Sequence, residues 1–155
     1  MLALEFAASL EQLSHRIIAE LEAVPPEALN WRPPFPDSNS MYVLAIHTAA
    51  ATEWWVVGAA AGQPVQRDRP AEFRSEGSLA VVKTWYADKL AAVRQAADGL
   101  SDADLSAKRS YTTLRGSTEE NTAAYCLLHA LEHAAEHLGH IQITRQLWEQ
   151  QEQGK

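Results

Sequence analysis

The segment from Ser117 to about Gln150 constrains this chain more than any other part of it. It reads as one helix of roughly 30 residues, about 45 Å long. It carries four of the chain's six histidines: His129, His133, His137 and His140. With His129 at 0° on a wheel of about 100° per residue, His133 falls at about 40°, His137 at about 80° and His140 at about 20°. All four share one narrow face. Cys126, Ala130, Thr144 and Leu147 continue that face, whereas Glu132, Glu136 and Gln146 point elsewhere. A face that is apolar at both ends and imidazole in the middle reads as buried, and buried imidazoles require partners. Ser117-Thr118-Glu119-Glu120 is the expected start, a capping sequence with acids in the first turn to complement the helix dipole.

Three further segments carry helical periodicity. From about Ala3 to Val24, Phe6, Leu10, Leu13, Ile17 and Leu21 recur at spacings of three and four, and Pro25 and Pro26 stop the pattern. The connection to Asn39 holds five prolines, which leaves little room for a regular element; its Leu29-Asn30-Trp31-Arg32-Pro33 core predicts an ordered loop with a buried Trp. Segment two starts near Ser40, capped by Ser38 or Asn39, and ends around Gly62. On its wheel His47 sits in the middle of an apolar stripe with Val43, Leu44, Ala51, Trp54 and Trp55. Segment three runs from about Ser78 to Ala97, after a polar connection from Gln63 to Gly77. A second polar connection, Ser101 to Ser117, has room for a short helical turn at Ser101–Leu105. There is no convincing β pattern, no Gly-rich phosphate loop and no internal repeat. Four long helices within 155 residues predict an all-α chain, a four-helix bundle in one domain spanning residues 1–155.

Composition removes several function classes. Acidic residues outnumber basic ones, 20 to 13, so the chain lacks the positive surface that nucleic-acid binding requires. One cysteine excludes an internal disulfide and any Cys-rich zinc module. The N-terminus lacks the basic region and long apolar run of a signal peptide. The most apolar stretch, Met41 to Gly62, contains His47, Thr48, Thr52 and Glu53, which argues against a membrane span. The expectation is a soluble cytoplasmic protein.

The histidine face points to a metal. Imidazoles at i and i+4 lie one turn apart on the same side of a helix, so one helix can supply two ligands to one ion. Both His133/His137 and His129/His133 satisfy that spacing. A third ligand must come from another helix, and His47 is the candidate, because His15 falls on a more exposed face. Neutral imidazoles suit Zn²⁺ or Ni²⁺, with Fe²⁺, Co²⁺, Cu²⁺ or Mn²⁺ as further candidates, and not the oxygen-seeking Mg²⁺ or Ca²⁺. Three protein ligands with open positions is the catalytic arrangement; water, a thiolate or a carbonyl can take the open position. Glu53, Glu132 and Glu136 are weak candidates for outer partners, because their directions are off the histidine faces. Glu precedes His in Glu132-His133 and Glu136-His137, so the His-Glu-x-x-His order of metalloproteases is absent. Cys126 reads as a small core residue, and Trp54 or Trp55 as a core anchor or a pocket wall.

With these residues in hand, the chain resembles the DinB/YfiT-like superfamily of metal-binding four-helix bundles. The resemblance rests on Leu29-Asn30-Trp31-Arg32-Pro33 followed by Asn39-Ser40, on His47 with Trp54-Trp55 after it, and on His133-Ala134-Ala135-Glu136-His137-Leu138-Gly139-His140-Ile141, which is similar to the family's H-x-x-x-H-x-G-Q-I signature. It covers essentially the whole chain. Carried over position by position, it implies His47, His133 and His137 as the metal ligands. His140 departs from the family, which usually has Gln there, and reads with His129 as a pocket residue. The resemblance further implies an up-down-down-up bundle, often a dimer. Some relatives look like transferases or isomerases that use low-molecular-weight thiols such as mycothiol or bacillithiol, and others look like metal-dependent hydrolases.

Two readings of function follow. In one, the open metal site activates a thiol or water against a small electrophilic substrate, as an S-transferase or hydrolase. In the other, the bundle is a non-catalytic metal-binding or stress-response protein. A second apolar stripe on segment four, Leu127, Leu131, Ala134 and Leu138, lies opposite the histidines and argues modestly for a homodimer.

Overall fold

The computed structural model describes residues 2–113 and 116–154. Leu114 and Arg115, which the sequence reading assigned to the 101–117 connection, lie outside the described residues, as do Met1 and Lys155. The chain is mostly helical, with one small sheet. Helix α1, Leu2–Glu22, buries Ala3, Ala7, Leu10, Ser14, Ile17 and Leu21 at alternating spacings of four and three. The proline-rich connection does admit one element, the single turn α2, Pro26–Leu29. Its proline sits at the first helical position, where a missing N–H costs nothing.

Helix α3, Met41–Glu53, is capped by Ser40, whose side chain accepts from the Val43 N–H at 3.1 Å. Every residue from Met41 to Thr52 is buried. The stripe expected on this helix is therefore a fully enclosed helix, with α1, the loop helix α4 (Arg69–Arg74), α5 (Leu79–Asp98) and α7 (Ala123–Gln153) all packed on it. Beyond Glu53 it widens into a π-helical stretch, Trp54–Ala60, where the Ala61 N–H reaches back five residues to the Val56 carbonyl. A wheel of constant pitch no longer applies there.

Helix α5, Leu79–Asp98, follows, then α6, Asp102–Ser106, which carries a reciprocal capping box between Ser101 and Asp104. Strands β1, Lys108–Thr112, and β2, Thr118–Thr122, form an antiparallel hairpin with Tyr111 opposite Glu119. This corrects two expectations: a β element exists, and the last helix does not begin at Ser117. Pairing with β1 draws Thr118–Thr122 into an antiparallel ladder, and Tyr111 packs edge-on against Trp54 and Trp55 at 5.6 and 5.5 Å between ring centroids. The cap role passes to Thr122, which accepts from the Tyr125 N–H at 3.1 Å and opens α7, Ala123–Gln153, of 31 residues.

The long helices pack α1 on α5 and α7, and α3 on α5 and α7. Leu127, Ala134 and Leu138 are buried within this single chain. The second stripe on α7 is thus explained by the helix's inner position and does not call for a second subunit. Two apolar clusters divide the core: one includes Val56, Val57, Leu127 and Ala134, the other Met41, Tyr86, Leu138 and Ile141. Along α7 the seam falls between Ala134 and Leu138, where the histidines sit. Among the described residues no helix is long and apolar enough to cross a membrane.

Candidate metal centre

Helix α7 brings His133 and His137 together by its own pitch. Their Nε2 atoms are 3.2 Å apart. Helix α3 supplies His47 from the opposite side, with ring centroids 5.1 Å from both His133 and His137. One ring nitrogen from each of the three lies within 4.8 Å of the others. Two nitrogens on one tetrahedral Zn²⁺ stand about 3.3 Å apart, given Zn–N distances of about 2.0–2.1 Å, so the His133/His137 pair already has ligand spacing.

The chemistry of the donors also fits a cation. Burial, then the neighbouring His137 and His47, push His133 down to about 3. Burial, then His47 and His140, push His137 down to about 4. Both rings are neutral at physiological pH, the form that coordinates. The buried Nδ1 of His133 has no hydrogen-bond partner among the described residues.

His47 is held from behind. Its Nδ1 lies 2.8 Å from Glu72 Oε2, and both side chains are nearly inaccessible, at 6% and 5%. Donation from Nδ1–H to this carboxylate leaves Nε2 as the lone-pair nitrogen, the arrangement in which carboxylates orient metal-binding imidazoles. Arg67 donates to both carboxylate oxygens, Nε to Oε1 at 2.6 Å and Nη2 to Oε2 at 2.8 Å. Burial by itself pushes the Glu72 carboxyl up; hydrogen bonds from His47 and Arg67, with their charges, outweigh it and hold the group below the usual carboxylate range. Phe73 packs on the other side of the His47 ring, 4.7 Å between centroids.

Sequence reasoning missed Glu72 and Arg67, and left Arg67, Asp68 and Arg69 without a role. A signal was present: Asp68 followed by a proline in the first turn is a helix start, and Asp68 does accept from the Ala71 N–H at 3.0 Å. The Asn30-Trp31-Arg32 motif explains how this short helix is fixed. Asn30 exchanges two hydrogen bonds with the Gly77 backbone, at 2.9 and 3.1 Å, and Arg32 donates to the Phe73 carbonyl at 2.9 Å. Gly77 is required at that point, since a Cβ there would meet the Tyr42 hydroxyl at 2.5 Å.

The remaining candidates separate. His129 packs at a tilt against Trp55, 4.2 Å between ring centroids, and lines a cleft of about 470 Å³ together with His47, His133, Trp54, Arg67 and the hairpin. His140 is exposed and lies behind the site, its Nδ1 3.2 Å from His137 Nδ1, facing a different hollow beside Phe35 and Leu147. His15 is exposed on α1. Glu53 pairs with Lys89 at 2.7 Å, Glu132 stands 3.8 Å from His129 Nδ1, and Glu136 is exposed; none touches a ligand candidate. Cys126 is fully buried and burial pushes its thiol up, which fits a core residue and not a nucleophile.

Fold and site together define a class: a small helical protein in which three imidazoles converge and two of them, His47 and His133, line an open cleft. The chain belongs to the DinB superfamily, whose family model matches residues 9–141. Solved structures share the fold. A conserved protein of Enterococcus faecalis is 18% identical with a TM-score of 0.67, covering 92% of this chain and 94% of its own. A DinB-like protein from Bacillus cereus is 16% identical with a TM-score of 0.69, covering 90% and 87%. A Streptococcus pneumoniae protein is 16% identical with a TM-score of 0.63, covering 94% and 89%. No functionally curated protein matches the sequence.

Proposed function

We propose that this protein binds one divalent transition metal, Zn²⁺ or Ni²⁺ foremost, through His47, His133 and His137, and uses it as an enzyme acting on a small electrophile with a low-molecular-weight thiol or water. The observation that supports this most is the convergence of three imidazoles, one backed by a buried carboxylate, beside a cleft that His47 and His133 line. A structural metal site is closed, whereas an open one admits a ligand. A divalent transition metal there supplies a Lewis acid that acidifies water or a thiol toward neutral pH. The chain's own residues do the rest. Glu72 and Arg67 hold His47 in one orientation. Trp54 and Trp55 wall the cleft and limit water. His129 lines the cleft outside the ligand set and is placed to exchange a proton with a molecule there. The same reading takes the long helices as the up-down-down-up bundle that the resemblance implies. It takes the assembly as a cytoplasmic homodimer, with exposed Tyr125 and Leu128 on α7 as apolar contact residues.

Crystals of zinc- or nickel-loaded protein soaked with 2-mercaptoethanol test the reading, alongside turnover of the thiol with 1-chloro-2,4-dinitrobenzene. Sulfur density at the metal together with turnover is the expected result. A cleft that takes up no thiol, with no turnover, contradicts the enzyme and leaves a non-catalytic metal-binding protein.

A further inference from the structure

Two arginines line the cleft, and only one of them is already occupied. Arg67 spends its donors on Glu72. Arg69 makes no hydrogen bond or ion pair with any described residue; its Cζ lies 4.8 Å from the centroid of the Phe73 ring, over its face. Phe73 in turn packs against His47 at 4.7 Å. The guanidinium therefore lies over an aromatic ring that itself packs, tilted by 45°, against a metal-ligand candidate. Stacking orders a long side chain without using its N–H donors, so the fork stays available for a planar anion. The cleft is also lined by Thr113 and Ser117, whose hydroxyls join at 2.8 Å, and by Glu119, whose negative charge disfavours an anion on the hairpin side. Ala51, Trp54 and Trp55 add apolar surface to the lining.

From this arrangement we infer that Arg69 is the anchor for a carboxylate on the cleft's ligand. Resting on the proposed function, this narrows the thiol partner to a class: a small thiol that carries a carboxylate, its sulfur toward the three histidines, its carbon chain along the indoles and its carboxylate on the Arg69 fork. A bidentate, charge-assisted Arg–carboxylate pair gives roughly tenfold in affinity.

The test uses full-length protein loaded with Co²⁺, whose visible bands report a sulfur ligand, with affinities measured by calorimetry. The probes are mercaptoacetate, 3-mercaptopropionate, 4-mercaptobutyrate and the uncharged 2-mercaptoethanol. The expected result is that the best-fitting mercapto-carboxylate binds at least about tenfold tighter than 2-mercaptoethanol, and that Arg69→Gln removes this preference. Arg69 is exposed, so the variant folds, and the comparison of probes in the unaltered protein stands without it. Equal affinities with clear changes in the Co²⁺ bands overturn the carboxylate anchor while leaving the metal site intact. A preference that survives Arg69→Gln also overturns it. Absence of any thiol binding overturns both this inference and the thiol reading beneath it.

Discussion

The two halves of the histidine cluster are built in opposite ways. On α7, His133 and His137 are half-buried, and helical pitch alone brings their nitrogens to 3.2 Å. On α3, His47 is buried and held by Glu72 and Phe73 of a separate short helix and by Arg67 just before it. One half is local and self-assembling; the other depends on contacts across more than twenty residues of chain. The difference teaches that the α7 pair provides the spacing and the α3 side provides the orientation. Orientation of that kind is costly to lose, because a buried carboxylate and guanidinium stripped of a partner remain desolvated.

Replacing the α3 ligand is the strongest way to break the comparison. His47→Ala is expected to weaken metal binding by more than about 100-fold, beyond the range seen for an outer partner, as read by competition with a chromophoric chelator. Near-normal affinity would mean that α7 holds the metal without α3. Glu72→Gln comes next: a loss of about 10- to 100-fold in metal affinity is expected with the helical circular dichroism signal retained, and an unchanged affinity would remove the carboxylate's orienting role.

The α7 half is sharpened by pH. Unfolded imidazoles take up protons near pH 6.5, whereas folded His133 and His137 hold off to about 3 and about 4. Between those limits the unfolded state binds more protons, so the stability these groups contribute is present above about pH 6.5 and lost as pH falls toward 4. The melting temperature of metal-free protein should therefore drop more over that window than that of a His133→Gln/His137→Gln variant; parallel curves would refute the assignment. The smallest effect is expected outside the cluster. His140 can fix the His137 ring through their 3.2 Å contact but is exposed, so His140→Leu should cost less than about tenfold in metal affinity. A loss as large as that of Glu72→Gln would make the two halves alike in their outer support.

What the sequence made legible follows the same division. The periodicities of Ile17, Leu21, Val82, Tyr86 and Leu138 marked the long helices, because one buried face repeating at 3.6 residues leaves a direct trace. The i,i+4 histidines were readable for the same reason. Glu72 was not, since α4 has six residues and its partners lie in α3 and the 25–39 loop, contacts that leave no local period. The hairpin was misread because Ser117-Thr118-Glu119-Glu120 satisfies a cap as well as a strand, and only the partner Lys108–Thr112 decides between them. The π-helical stretch escaped because a wheel assumes constant pitch.

The central claim is that His47, His133 and His137 form one metal site. Elemental analysis of protein purified without a histidine tag, alongside the His47→Ala variant, tests it most directly. The account expects about one transition-metal ion per chain in the unaltered protein and a large loss in the variant. A content well below one per chain that added Zn²⁺ or Ni²⁺ does not restore would contradict it.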